Sequence, residues 1–281
     1  MFFHEGSDSF LEEEVEYKKA KYVIIPVPLD ITTTYVNGTK FGPASIIEAS
    51  RSLENYDYEF DFDVKDLIFT INQLQLPLDA KKAIEAIKQT VSDVVNDGKI
   101  PIMIGGEHLG SYASSLAFGD DVSFVIFDAH GDFKKSISGV ELTHASTTRL
   151  ISSSKKTAII GLRSFSRSDM QDIKSMGIPV VPVKELSKGL SNAMKKIRNK
   201  KVYISVDMDV FDPSIAPGVG TPQPGGITYN DFVNALKTMA SNFDIVGMDV
   251  METRRTESRA TEVLAAKIII DFVAVGEKNN E

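Results

Sequence analysis

Short apolar runs and longer amphipathic segments alternate along the chain. Tyr22–Val27 reads as a buried strand and Pro43–Asn55 as a helix; Leu67–Thr70 is a shorter strand. In Ala80–Asn96 apolar residues recur three and four apart, the period of a helix. Strand-like runs follow at Pro101–Ile104, Val122–Asp128, Thr157–Leu162, Ile178–Val181, Val202–Asp207 and Ile245–Val250. Helical patterns occupy Val183–Asn199, Tyr229–Ser241 and Ser258–Val273. Eight apolar strands separated by helices predict an α/β chain with a mostly parallel sheet covered on both faces. No Gly/Ser linker, composition shift or repeat divides residues 1–281, so a single domain is expected. Asp212–Gly226 carries four prolines and four glycines between core elements, which marks a shaped loop within one domain.

In open parallel α/β sheets, ligands collect beyond the carboxyl ends of the strands, and here those ends carry polar cargo. Ile104 leads into Gly105-Gly106-Glu107-His108, and Phe127 into Asp128-Ala129-His130-Gly131-Asp132. Val206 leads into Asp207-Met208-Asp209, and Val250 is followed closely by Glu252. Residues two apart in a strand share a face, which pairs Asp128 with His130 and Asp207 with Asp209. Of the four histidines, His108, His130 and His144 lie at or shortly after such strand ends, whereas His4 is near the N-terminus.

One aspartate at a strand end is more often a cap or turn residue than a ligand. Three such segments together are harder to explain structurally. Four aspartates and two histidines brought together without counter-charge would be costly, and some would protonate. Two divalent cations would balance the four Asp charges. Oxygen-rich donors with some imidazole suit Mn²⁺, Mg²⁺ or similar hard ions, and binding to such ions lowers the pKa of water toward ~7.

Composition narrows the field further. The 281 residues include 31 Lys+Arg against 39 Asp+Glu, a net charge of −8, and no cysteine. Without cysteine there are no disulfides, thiolate zinc sites, iron–sulfur clusters or thiol nucleophiles. The acidic balance argues against nucleic acid or anionic membrane surfaces as partners and suits a cationic ligand. The first residues are acidic and lack a signal-peptide core, and no apolar stretch nears the ~18 residues of a membrane helix. A cytoplasmic location is expected.

These segments resemble the ureohydrolase (arginase/agmatinase) family over most of the chain. The matching pieces are PVPLDITTTYVNGTKFGPASIIEAS (26–50), GGEHLGS (105–111), FDAHGDF (127–133), THAS (143–146), SVDMDVFDPSIAPGVGTPQPGG (205–226) and GMDVMET (247–253). The resemblance implies a three-layer α/β/α domain with an eight-stranded sheet, assembled as trimers or hexamers. It implies two Mn²⁺, one held by His108, Asp128, Asp132 and Asp207, the other by Asp128, His130, Asp207 and Asp209. His144 would shuttle a proton to the departing amine, Glu252 would engage the substrate's guanidinium, and Asp209 would help stabilise the tetrahedral intermediate. An alternative for Glu252 is a salt bridge with Arg254 or Arg255. Gly105 and Gly106 are expected to permit a tight turn, Asp212 to form an Asp-Pro turn, and Glu12-Glu13-Glu14 to be a solvated helix face.

The stretch before His144, Ser138–Thr143, has no Asn, and LTHAS is more similar to agmatinases than to arginases. The expected reaction is agmatine plus water to putrescine and urea. The chain departs from the family pattern at Leu109, at Ile46-Ile47 and at Thr253-Arg254-Arg255-Thr256-Glu257. The two arginines leave guanidinobutyrate or formiminoglutamate open, and aminopropylagmatine and arginine are further alternatives. A two-metal phosphohydrolase lacks its phosphate cradle here. A catalytically silent metal-binding homologue is a remaining rival.

Overall fold

In the computed structural model, residues 9–12, 15–197 and 199–278 are described; His4, Glu13 and Glu14 lie outside them. The chain runs β1 (Tyr22–Val27), α1 (Gly42–Ser50), β2 (Tyr56–Asp57), β3 (Phe62–Asp63), β4 (Ile68–Thr70), α2 (Ala80–Asn96) and β5 (Ile100–Gly105). It continues with α3 (Leu109–Ser115), β6 (Val122–Phe127), α4 (Thr147–Ser152), β7 (Thr157–Ile160), α5 (Arg167–Ser175) and β8 (Val180–Val181). The last elements are α6 (Leu186–Ile197), β9 (Lys201–Asp207), α7 (Tyr229–Ala240), β10 (Asp244–Met251) and α8 (Ala260–Lys278).

Eight strands form one sheet in the order β4-β1-β5-β10-β9-β6-β7-β8, and β2 pairs with β3 in a separate hairpin. Every pairing within the large sheet is parallel. Alternation along the strands gives each face its own core. Val23, Ile25, Met103 and Ile126 pack with α2, α3 and α4, whereas Ile24, Ile104, Val125 and Val206 pack with α1, α6, α7 and α8. The result is three layers, with helices covering both faces as a parallel sheet requires.

Strand order places the site. From β5 the chain skips two positions to reach β6, then builds outward to β8 before β9 and β10 return to fill the gap. The carboxyl ends of β5, β10, β9 and β6 are therefore side by side where the winding reverses, the position at which α/β sheets open a crevice.

Several boundaries differ from the sequence pattern. The helix expected over Pro43–Asn55 stops at Ser50, where the Ser50 and Ser52 hydroxyls donate back to the Ile47 and Ala49 carbonyls before the hairpin begins. Val183–Asn199 divides into a 3₁₀ turn, Val183–Glu185, and α6, while α8 starts two residues late and runs five further, to Lys278. Three short helices, α3, α4 and α5, lie where no apolar period announces them.

Candidate metal centre

The central strand ends deliver all six expected ligands to one cluster. Asp207, the last residue of β9, caps the 3₁₀ turn Met208–Val210 by accepting from the Asp209 N–H at 2.9 Å. Asp128, just after β6, accepts the His130 N–H at 2.6 Å, and Asp209 accepts the Ala129 N–H at 3.1 Å. These backbone bonds orient both Asp-x-Asp and Asp-x-His pairs. His108 Nδ1 lies 3.0 Å from Asp132 Oδ2, 3.3 Å from Asp128 Oδ2 and 3.5 Å from Asp207 Oδ2. His130 Nδ1 lies 2.7 Å from Asp209 Oδ2.

Two sets of ligand atoms lie within 4.8 Å of one another: His108, Asp128 and Asp207, and Asp128, His130 and Asp209. Asp128 belongs to both. Asp132 approaches from the side, at a backbone φ of 44°.

The electrostatics ask for positive charge. Burial, with Asp132 and Asp209 nearby, pushes Asp128 up to about 7. Asp207 is raised well above its ordinary value by burial and by Asp209 and Asp128. Burial would lower His108, but its contacts with Asp128 and Asp132 outweigh that and hold it well above the usual imidazole range. His130 is pushed up to about 9: burial opposes protonation, and the bond to Asp209 prevails. That bond also keeps Asp209 below its usual value against the effect of burial. Asp128 Oδ2 is buried without a hydrogen-bond partner, an available lone pair at the centre of the cluster. The donor set, oxygen and imidazole nitrogen without sulfur, fits hard or borderline divalent ions.

A pH dependence follows. An ion entering the cluster must displace protons from the imidazoles, so affinity for a divalent cation is expected to rise with pH toward the His130 value of about 9. The increase is up to about tenfold per pH unit for each proton displaced. Equilibrium dialysis across the neutral range checks this; an affinity independent of pH would contradict it.

Above the cluster is a cavity of about 190 Å³ whose walls include His144, Thr34, Tyr35, Thr221 and Glu252. None of its described lining residues is Lys or Arg. His144 opens the 3₁₀ turn His144–Ser146, which is held by reciprocal bonds between Thr143 and Ser146. Its ring lies between two hydroxyls, with Thr32 Oγ1 3.3 Å from Nδ1 and Thr34 Oγ1 3.3 Å from Nε2. Glu252 follows β10 at a φ of 64°, and its Oε1 accepts the His108 N–H at 2.7 Å. Burial pushes it up to about 8.

Neither arginine engages Glu252. Arg254 Nε donates to the Asn37 carbonyl at 3.0 Å, and Arg255 pairs with Glu48 on α1 at 3.5 Å. Neither lines the cavity. At Gly106 the reason for glycine is space rather than a turn: a Cβ there would sit 1.9 Å from the Leu29 carbonyl oxygen. Asp212 does pin its loop, accepting the Ser214, Gly225 and Gly226 N–H groups.

Sequence reading missed several supporting residues. Buried Glu107 accepts the Ile31 and Thr32 N–H groups and so fixes the loop that carries the two threonines against His144. Arg163 donates to the carbonyls of Asp209, Val210, Phe211 and Gln223, tying the metal turn to the Pro/Gly loop. Glu107 stands in the Gly-Gly-Glu-His segment after β5, but nothing local tells what it binds, and no local pattern signals Arg163. Asp249 did carry one: an aspartate inside an otherwise apolar strand, directly opposite Ser205 of β9.

The model of the arginase family matches residues 20–274. The chain is 33% identical over 267 residues to an agmatinase of Pyrococcus horikoshii, covering 93% of each chain. It is 32% identical over 268 residues to an N(1)-aminopropylagmatine ureohydrolase of Thermococcus kodakarensis, covering 93% and 92%. Its fold superposes on the crystal structure of the agmatine ureohydrolase of Thermoplasma volcanium with a TM-score of 0.88, at 33% identity and 97% and 95% coverage.

Proposed function

The chain belongs to the arginase family and is an amidinohydrolase, and we propose that its reaction is agmatine plus water to putrescine and urea, with two Mn²⁺ as cofactor. The observation that carries the substrate choice is the cavity: acidic and hydroxyl-lined, without a described Lys or Arg to receive a carboxylate tail. The relatives named for agmatine and aminopropylagmatine support the same class.

His108, Asp128, Asp132 and Asp207 would hold one ion, and Asp128, His130, Asp207 and Asp209 the other. Divalent ions bound there supply Lewis acidity, which makes water a nucleophile at neutral pH and offsets the poor electrophilicity of a delocalised guanidinium carbon. Glu252 binds the guanidinium and orients its carbon; its backbone strain and its bond to the His108 N–H hold the carboxylate in place. Water adds to that carbon, the bond to the alkylamine nitrogen breaks, and His144 delivers the proton that the leaving amine requires. Thr32 and Thr34 keep the imidazole over the cavity meanwhile.

The same reading places the protein in the cytoplasm as a homo-oligomer, a trimer or hexamer. Among the described residues no helix is long and apolar enough to cross a membrane.

Urea release from Mn²⁺-loaded protein tests the proposal, with agmatine, aminopropylagmatine, guanidinobutyrate, formiminoglutamate and arginine in parallel and a chelated control. Agmatine turnover abolished by chelation is the expected result. Preference for aminopropylagmatine would move the assignment to the longer polyamine, and turnover of a carboxylated guanidine alone would overturn the cationic-substrate reading. Formamide rather than urea, released only from formiminoglutamate, would overturn it equally.

A further inference from the structure

Beneath the cluster, on the side away from the cavity, a polar chain enters the sheet. His108 Nε2 lies 3.2 Å from Ser205 Oγ, which lies 2.7 Å from Asp249 Oδ1 and 3.1 Å from Ser111 Oγ. Ser205 and Asp249 face each other across β9 and β10, and Ser111 comes from α3. Ser205, Asp249 and Ser111 are each completely buried, and Asp249 Oδ2 has no hydrogen-bond partner. A carboxylate in mid-sheet, away from the cavity, is expensive unless it is hydrogen-bonded or paired, and the bond that serves Asp249 here is the one from Ser205.

Hydrogen-bond inventory indicates the role of the pair. A serine hydroxyl has one proton to donate. The short contact to Asp249 takes that proton, which leaves Ser205 Oγ to accept from His108. His108 Nε2 must then carry a hydrogen, and Nδ1, which faces Asp128, Asp132 and Asp207, is the nitrogen left to coordinate. We propose that Asp249 and Ser205 are positioning residues that fix the tautomer and ring orientation of His108, and so set the affinity for the ion shared by His108, Asp128 and Asp207. Histidine ligands commonly depend on such an outer partner at their second nitrogen, and its loss costs about 10–100-fold in metal affinity or activity. Here the carboxylate acts through an interposed hydroxyl. Ser111, a small residue of α3, brings its hydroxyl within 3.1 Å of Ser205 Oγ.

This rests on the two-ion reading above, and the test separates the two ideas. Manganese binding to the full-length wild-type chain and to the Asp249→Asn and Ser205→Ala variants is measured by equilibrium dialysis, with electron paramagnetic resonance of the bound ions. Asp249→Asn preserves shape and an acceptor oxygen; Ser205→Ala removes only the hydroxyl. Both variants are expected to lose affinity for one ion, by about tenfold or more, while the second ion binds as in wild type. At limiting manganese, the exchange-coupled spectrum of paired ions should give way to that of isolated Mn²⁺. Melting of the metal-free variants should not fall in parallel with the affinity loss. Wild-type affinity for both ions, or an equal loss at both sites, would overturn the relay. A wild-type chain that binds no manganese would overturn the two-ion reading itself, and the relay with it.

Discussion

Asp128→Asn is expected to abolish both metal binding and urea release. Asp128 belongs to both groups of ligand atoms that lie within 4.8 Å of one another, and its Oδ2 is buried without a hydrogen-bond partner. The substitution keeps the volume but removes a full charge from the centre of the cluster. Lewis-acid activation contributes several kcal/mol to such reactions, so turnover should fall by about 10³-fold or more. Urea release and manganese content by atomic absorption, measured on the same preparation, check the prediction. Normal manganese content with normal turnover would remove Asp128 from the site. The metal-free protein should still fold, because the strain of the apo cluster, carboxylates crowded in a buried site, is relieved rather than increased.

Glu252→Gln is expected to separate chemistry from metal binding. Glu252 is absent from both ligand sets, and its carboxylate borders the cavity while bonded to the His108 N–H. Gln preserves that bond through its carbonyl oxygen but opposes a guanidinium with a neutral amide. Breaking one partner of a buried charge pair costs about 2–5 kcal/mol, which corresponds to a loss of about 30-fold to several thousand-fold in kcat/KM. Manganese content should remain that of wild type. Steady-state urea kinetics with parallel metal analysis decide it, and a variant with unchanged kcat/KM would assign Glu252 a purely structural role. Against Asp128→Asn the contrast is clear: one variant is inactive because it is empty, the other impaired although it is full.

What could be read in advance follows from how locally each feature is encoded. The eight strands are apolar runs long enough to stand out, and their number and parallel pairing agree with the structure. The six candidate ligands stand at or just after strand ends within short motifs. Alternation paired Asp128 with His130 and Asp207 with Asp209, whereas His108 and Asp132 joined them through the family resemblance. In the structure His130, Asp132 and Asp209 lie in the turns beyond the strands. Helices α3 to α5 were illegible because they are short, at most nine residues: in α3 only Leu109 and Ala113 enter the core while Ser111 reaches Ser205, too few positions to display a period. Glu107 and Arg163 were illegible for a different reason. Each satisfies backbone groups of a distant loop, and nothing near either residue in the chain announces its partner. The arginines after Glu252 show the converse, since proximity in sequence suggested a role at the mouth that Asn37 and Glu48 claim instead.

Strand order also bears on how the protein reaches its native state. The ends of β5 and β6 are formed early in the chain, yet two strands must be inserted between them, and β10 pairs with both β5 and β9. Until that strand arrives, the nascent sheet carries an open slot with two unpaired inner edges, the kind of surface that recruits other chains. Pairings so distant along the chain also make for slow folding. The His108–Glu252 bond spans 144 residues and forms only when the slot closes. The catalytic edge is therefore complete only when β10 stands between β5 and β9, and any species lacking that strand leaves both edges open to other chains.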